Sequence, residues 1–120
     1  MNNLDAFIQQ IKSQPDIIEF QDVISLIDAA YHYTPTPFRN GPAGQSIDSN
    51  AGENEGSCKI FAFAQLHQLD KFQTLNCFGK YYRDEVLAHP EGTGHANIRS
   101  FMQHGWEHIA FDAKALAFKG

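Results

Sequence analysis

Cys58, His95 and a set of side-chain amides have the types and spacing that could do chemistry. Cys58 stands between the polar stretch NAGENEGS (50–57) and the apolar run KIFAFAQL (59–66), where the pattern predicts the first turn of a helix. Aligned peptide dipoles place about half a positive charge at such a start. A thiolate there is stabilised, and its pKa falls from ~8.5 toward a reactive range. His95 follows the loop EGTG (91–94) and opens another predicted helix, which makes it the candidate base. If the two helix starts meet, Cys58, His95 and Asn54 make a Cys, His and amide set of the acyl-transfer kind.

The same residues have plainer uses. Asn54 or Ser57 can cap the free N–H groups of the helix start, and Glu53 and Glu55 carry the sign its dipole favours. A buried cysteine at a helix start often serves only as a small hydrophobe. A second functional reading needs no nucleophile. Asn40, Asn54, Glu55, His95 and Arg99 each fall in a turn or at a helix start among glycines, and they are expected to converge on one concave, ligand-binding surface. Arg99, one turn after His95, would supply positive charge for a carboxylate or phosphate. The binding module is the preferred reading, a thiol-dependent hydrolase or transferase using Cys58 and His95 is the alternative, and whether the chain is an enzyme stays open.

Metal and cofactor chemistry finds less footing. His104 and His108 lie four apart around Glu107, but Gly105 between them is expected to end the helix and spoil the shared face. Cys58 and Cys77 form no CxxC, so neither a metal nor a cofactor is expected. Both thiols are expected to be free, as a reducing compartment keeps them.

Five helices are needed to position these residues. Leu4, Phe7, Ile8 and Ile11 recur at helical spacing before Pro15. Val23, Leu26, Ile27, Ala30 and Tyr31 mark a second amphipathic helix, ending before Thr34-Pro35. The run from Cys58 to about Asp70 is apolar on nearly every side, so it is the central buried helix, expected against both N-terminal helices. Leu75, Phe78, Tyr82 and Val86 stripe a helix from Thr74 to about Ala88, and His95 to His104 form the fifth, stopped by Gly105. Tyr81 and Tyr82 cannot both face inward from one helix. YHYTPTPF (31–38) reads as an edge strand because of Pro35 and Pro37, with Asn40-Gly41 as the turn and QSID (45–48) returning. HIAFD (108–112) is expected to add a last short strand to that hairpin. The class is α+β: one small domain over residues 1–120, about five helices around a buried central one, with a short, irregular antiparallel element.

At 120 residues, 42% hydrophobic and with ten Phe, the chain can bury roughly two-thirds of its unfolded surface without staples. Its net charge of −5 is uneven, −6 over residues 1–55 and +1 over the rest, and no basic cluster occurs. That argues against nucleic acid and against an anionic membrane surface. No stretch approaches the ~20 apolar residues of a spanning helix, and MNNLDAFIQQIK has an acid at position 5 and no apolar run of signal-peptide length. A soluble protein kept in the cytoplasm is expected, a monomer or weak dimer whose partner is a small molecule or a protein.

Four segments together carry a family likeness: PTPFRNG, NAGENEGSCKIFAFAQL, FGKYYRDEVLAHPEGTGHANIRSFM and GWEHIAF. In this order, over about residues 20–118, the chain resembles the HopJ-type family of bacterial type III effector proteins. The resemblance implies a small bacterial protein, delivered in some members into a plant host cell by type III secretion. It brings no biochemical activity with it. Residues 1–20 read as an amphipathic helix rather than a Ser-rich export segment, so the bacterial cytoplasm is the expected location.

Overall fold

The computed structural model describes residues 3–119, Asn3 by its backbone alone. Helix α1 (Asn3–Ser13) buries Ile8 and Ile11, and Pro15 opens a short 3-10 turn, Pro15–Ile17, that redirects the chain. Helix α2 (Phe20–Ala30) buries Val23 and Ile27. Tyr31, expected in this helix, instead begins strand β1 (Tyr31–Tyr33), because the backbone becomes extended at that residue. Strand β2 (Phe38–Asn40) then pairs antiparallel with β3 (Ile47–Ser49), as the turn signal at Asn40-Gly41 predicts. The prolines fall in the link 34–37, outside the strands, so β2 is free to be the central strand and not an edge.

Helix α3 (Glu55–Leu66) buries Cys58, Ile60, Phe61, Ala62, Phe63 and Ala64. The Phe61 ring lies 5.0–6.3 Å from those of Phe38, Phe78, Phe101 and Trp106, which makes it the hub of the core. Helix α2 packs along α3, whereas α1, expected on it too, rests mainly on the helix that follows. That helix, α4 (Lys71–Asn76), starts with a capping box between Asp70 and Gln73.

The long helix expected over 74–88 is broken. Gly79 takes φ +58, and a Cβ there would stand 2.6 Å from the backbone nitrogen of Phe20. Only glycine allows both the left-handed turn and this approach to α2. The chain resumes as a π-helical turn, Tyr81–Val86, closed by Leu87 N–H donating to Tyr82 O. The stripe survives the break: Leu75, Phe78, Tyr82 and Val86 are all buried. Arg83 ties the break together, its guanidinium donating to the carbonyls of Pro15, Ile18 and Asn76 and to Asn76 Oδ1.

Helix α5 (Ala96–His104) ends at Gly105, with φ +65, followed by a 3-10 turn over Gly105–His108. Strand β4 (Ile109–Phe111) pairs with β2, so the sheet order is β3–β2–β4. A fifth strand, β5 (Leu116–Phe118), was not expected and pairs antiparallel with β1. The result is a small α+β fold with one core. Among the described residues no helix is long and apolar enough to cross a membrane.

Candidate functional site

Helices α3 and α5 begin in the same way. The residue before each, Asn54 and His95, has left-handed backbone angles (φ 51, ψ 47 and φ 58, ψ 52). Non-glycine residues pay for this conformation, so its occurrence at two helix entrances marks a constrained place. Neither residue caps its helix with its side chain. Asn54, expected as a cap, instead donates through Nδ2 to Ser49 Oγ at 2.9 Å and ties α3 to the end of β3. The first-turn N–H groups therefore keep their donor capacity.

The two starts flank one cleft of about 540 Å³, lined by Asn54, Gly56 and Ser57 on one side and His95, Ala96, Asn97 and Ile98 on the other. Phe20, Phe78, Tyr81 and Ile47 form its apolar walls. Gly56 lets the Phe20 ring close in, since a Cβ there would meet Phe20 Cζ at 3.0 Å. Tyr81 is half-buried beside the cleft, packing edge-on against Phe20 and 5.1 Å from it, while Tyr82 turns into the core.

His95 also lines a second cleft of about 630 Å³, with Arg99, His89, Glu85 and Glu91. His95 Nε2 lies 2.9 Å from Glu85 Oε1, and its ring centroid is 5.3 Å from that of Tyr81. Arg99 turns two of its five donors on the loop, Nε to Gly94 O at 2.6 Å and Nη1 to His89 O at 2.7 Å. Its guanidinium leaves no room for a Cβ at Gly92, so arginine and loop are built against each other.

The remaining residues singled out from the sequence lie elsewhere. Asn40 is fully buried beneath α5, with Nδ2 donating to Asn97 O and Oδ1 at 2.8 and 3.0 Å. Cys58 is 1% exposed, and its Sγ faces Thr36 O at 3.7 Å. Burial pushes its pKa up, against weaker lowering by Tyr33 and Thr36, so the thiol form is favoured despite the helix dipole. Tyr33 Oη, beside Cys58 and Glu55, is buried without a well-formed hydrogen bond to either, and its pKa is raised, first by burial. Lys59 covers the Tyr33 ring at 4.9 Å and pairs with Asp28 at 2.8 Å.

Glu55, Cys58 and Lys59 thus share one face of α3, while Gly56 and Ser57 present the other face to the cleft. No hydrogen bond or ion pair joins Cys58 to His95 among the described residues. Asn54 and His95 come together, His95 and Arg99 come together, and Asn40 and Glu55 stand outside both clefts. Asn97, which sequence reasoning did not select, lines the cleft that Asn40 and Asn54 were expected to form, together with Tyr81.

Elsewhere, His104 and His108 sit 6.0 Å apart edge to face, and no group of three metal-ligating side chains occurs among the described residues. Tyr31 Oη shares a short hydrogen bond with His67 Nε2 at the wall of a further cleft. Burial raises the Tyr31 pKa and lowers that of His67, so the bond joins a protonated hydroxyl and a neutral ring.

Comparison with known proteins adds two matches. The sequence model of a family described as HopJ type III effector protein matches residues 4–116. A crystal structure, that of the unknown-function protein VPA0580, superposes with a TM-score of 0.92 at 47% identity, covering 98% of this chain and 95% of that one. No curated protein matches.

Proposed function

The chain belongs to the HopJ type III effector protein family, and from the geometry of its clefts we propose that it is a small binding or regulatory module. Its recognition surface is the pair of clefts that meet at His95, with Asn54, Ser57, Tyr81 and Asn97 on one side and Arg99 on the other. Its partner is a small molecule or a segment of another protein that enters these clefts.

One observation carries this reading against the thiol enzyme: Cys58 and His95 serve different neighbourhoods. Cys58 is inside the core with Thr36 O as its polar neighbour, and burial holds its proton on. His95 stands on open clefts with Glu85 and Tyr81 as ring partners. A cysteine nucleophile needs thiolate character, access and an adjacent base. A binding surface needs concavity, a few convergent polar groups and apolar walls, which the clefts provide.

The test sets the two classes against each other. With p-nitrophenyl acetate, the module should give no nitrophenolate burst that Cys58→Ala abolishes. A burst stoichiometric with the protein, lost in Cys58→Ala and slowed in His95→Ala, would overturn the module in favour of acyl transfer.

A further inference from the structure

We infer that the cleft between α3 and α5 takes an oxyanion, a carboxylate or a phosphate carried on a small apolar body. The inference rests on the binding-module reading and gives that module its ligand class. Both helices are long enough to carry an effective dipole, 12 residues in α3 and 9 in α5. Both point uncapped first turns at the same space, so N–H groups of Gly56, Ser57, Ala96 and Asn97 can converge on one acceptor.

An independent observation comes from Asn97, which is 5% exposed and lines the cleft. Its backbone carbonyl can only accept, so Asn40 must present Nδ2 to it at 2.8 Å. The same Nδ2 lies 3.0 Å from the Asn97 side chain, which must therefore turn its Oδ1 toward Asn40. That leaves Asn97 Nδ2 at the other end of the amide, with no protein acceptor among the described residues. Asn97 Nδ2 is open to solvent where this nearly buried residue lines the cleft, so at the meeting point of two helix starts an acceptor on the ligand can take it over from water.

Charge and shape agree. In a chain of net charge −5, no Asp or Glu lines this cleft. Glu55 turns to the Tyr33 side of α3, and Glu85 lines the other cleft. Phe20, Phe78 and Tyr81 offer an apolar or aromatic seat for the rest of the ligand. The neighbouring cleft is less suited, since Arg99 Nε and Nη1 already donate to the loop and Glu85 and Glu91 line it.

The experiment is an amide-resolved NMR titration of the full chain with three probes of similar shape: phenyl phosphate, benzoate and benzyl alcohol. At least one anion should shift the amides of Gly56, Ser57, Ala96 and Asn97 in a saturable way, with benzyl alcohol far weaker. Whether phenyl phosphate or benzoate binds tighter distinguishes the two oxyanions. Asn97→Asp keeps an oxygen for Asn40 Nδ2 but replaces the free donor by negative charge, and should weaken the anion by at least about tenfold. Should that variant fail to fold, the wild-type comparison of anion with alcohol still decides. Benzyl alcohol binding in the cleft as tightly as the anions would overturn the inference and leave the module standing. Anions that leave these amides unmoved would overturn it too, and a Cys58-dependent burst with p-nitrophenyl acetate would remove the module as well.

Discussion

The first turn of α3 has two sides, and they put the same helix dipole to opposite ends. On one side Cys58, Tyr33 and Thr36 form a dry corner in which desolvation outweighs the dipole and keeps the thiol protonated. On the other side Gly56 and Ser57 open onto a cleft shared with the start of α5. A helix start is reactive or receptive only where solvent or ligand can reach it. The electrostatics that would activate a cysteine is present on both sides, but access is present on one.

The largest perturbation should erase both sides at once. Phe61 is fully buried among four aromatic rings and anchors α3 in the core. Phe61→Ala should cost about 3–5 kcal/mol in chemical denaturation. A loss below about 1 kcal/mol would mean that neither side depends on α3 as the central element.

A smaller change should separate the sides. Gly79→Ala combines a left-handed φ with a clash against Phe20 N, for a loss of about 2–4 kcal/mol by denaturation. Phe20 is a wall of the cleft, so amide shifts in the folded variant should spread to Gly56 and Ser57 but not to Thr36 or Cys58. Equal disturbance at both would show that the corner and the cleft are one mechanical unit.

The dry interior should also be legible in the pH dependence of stability. Cys77 is fully buried, and burial pushes its pKa up to about 12. The unfolded thiol loses its proton first, so the unfolded state binds fewer protons and stability falls as pH rises above about 9. Stability from this group is full below that point, and between about pH 9 and 10 the slope approaches ~1.4 kcal/mol per unit. Cys77→Ala should flatten the slope measured by urea denaturation, leaving a shallower one from Cys58, whose pKa is also raised. An unchanged slope in the variant would place the titration elsewhere.

How much of this was legible in the sequence varies by element. The central helix was readable because apolar residues on every side of KIFAFA have only one stable location. The hairpin was readable from Asn40-Gly41, where Gly41 takes φ +116. The break at Gly79 was not, because Leu75, Phe78, Tyr82 and Val86 keep helical spacing across it and periodicity registers only the stripe. Strand β5 was missed because a three-residue segment carries almost no pattern, and the one strand read over 31–38 is in fact β1 and the start of β2 with the prolines between them. In the site, the two helix starts were readable, but not which way their side chains face. Spacing did hold a clue: Glu55, Cys58 and Lys59 stand at i, i+3 and i+4, one face of the helix, which Gly56 and Ser57 do not share. Asn97 carried no signal of its own, since its role depends on Asn40, 57 positions away.

The difference between the two sides of α3 is tested most directly by the alkylation of Cys58 with iodoacetamide, followed by peptide mass spectrometry in wild type and His95→Ala. In the folded protein Cys58 should react only as fast as the chain opens, accelerate with urea in step with unfolding, and be indifferent to His95. Rapid alkylation under native conditions, with a midpoint below the ordinary thiol pKa of ~8.5 and slowed by His95→Ala, would contradict the account. Cys58 and His95 would then be a working pair, and the dry corner an active site.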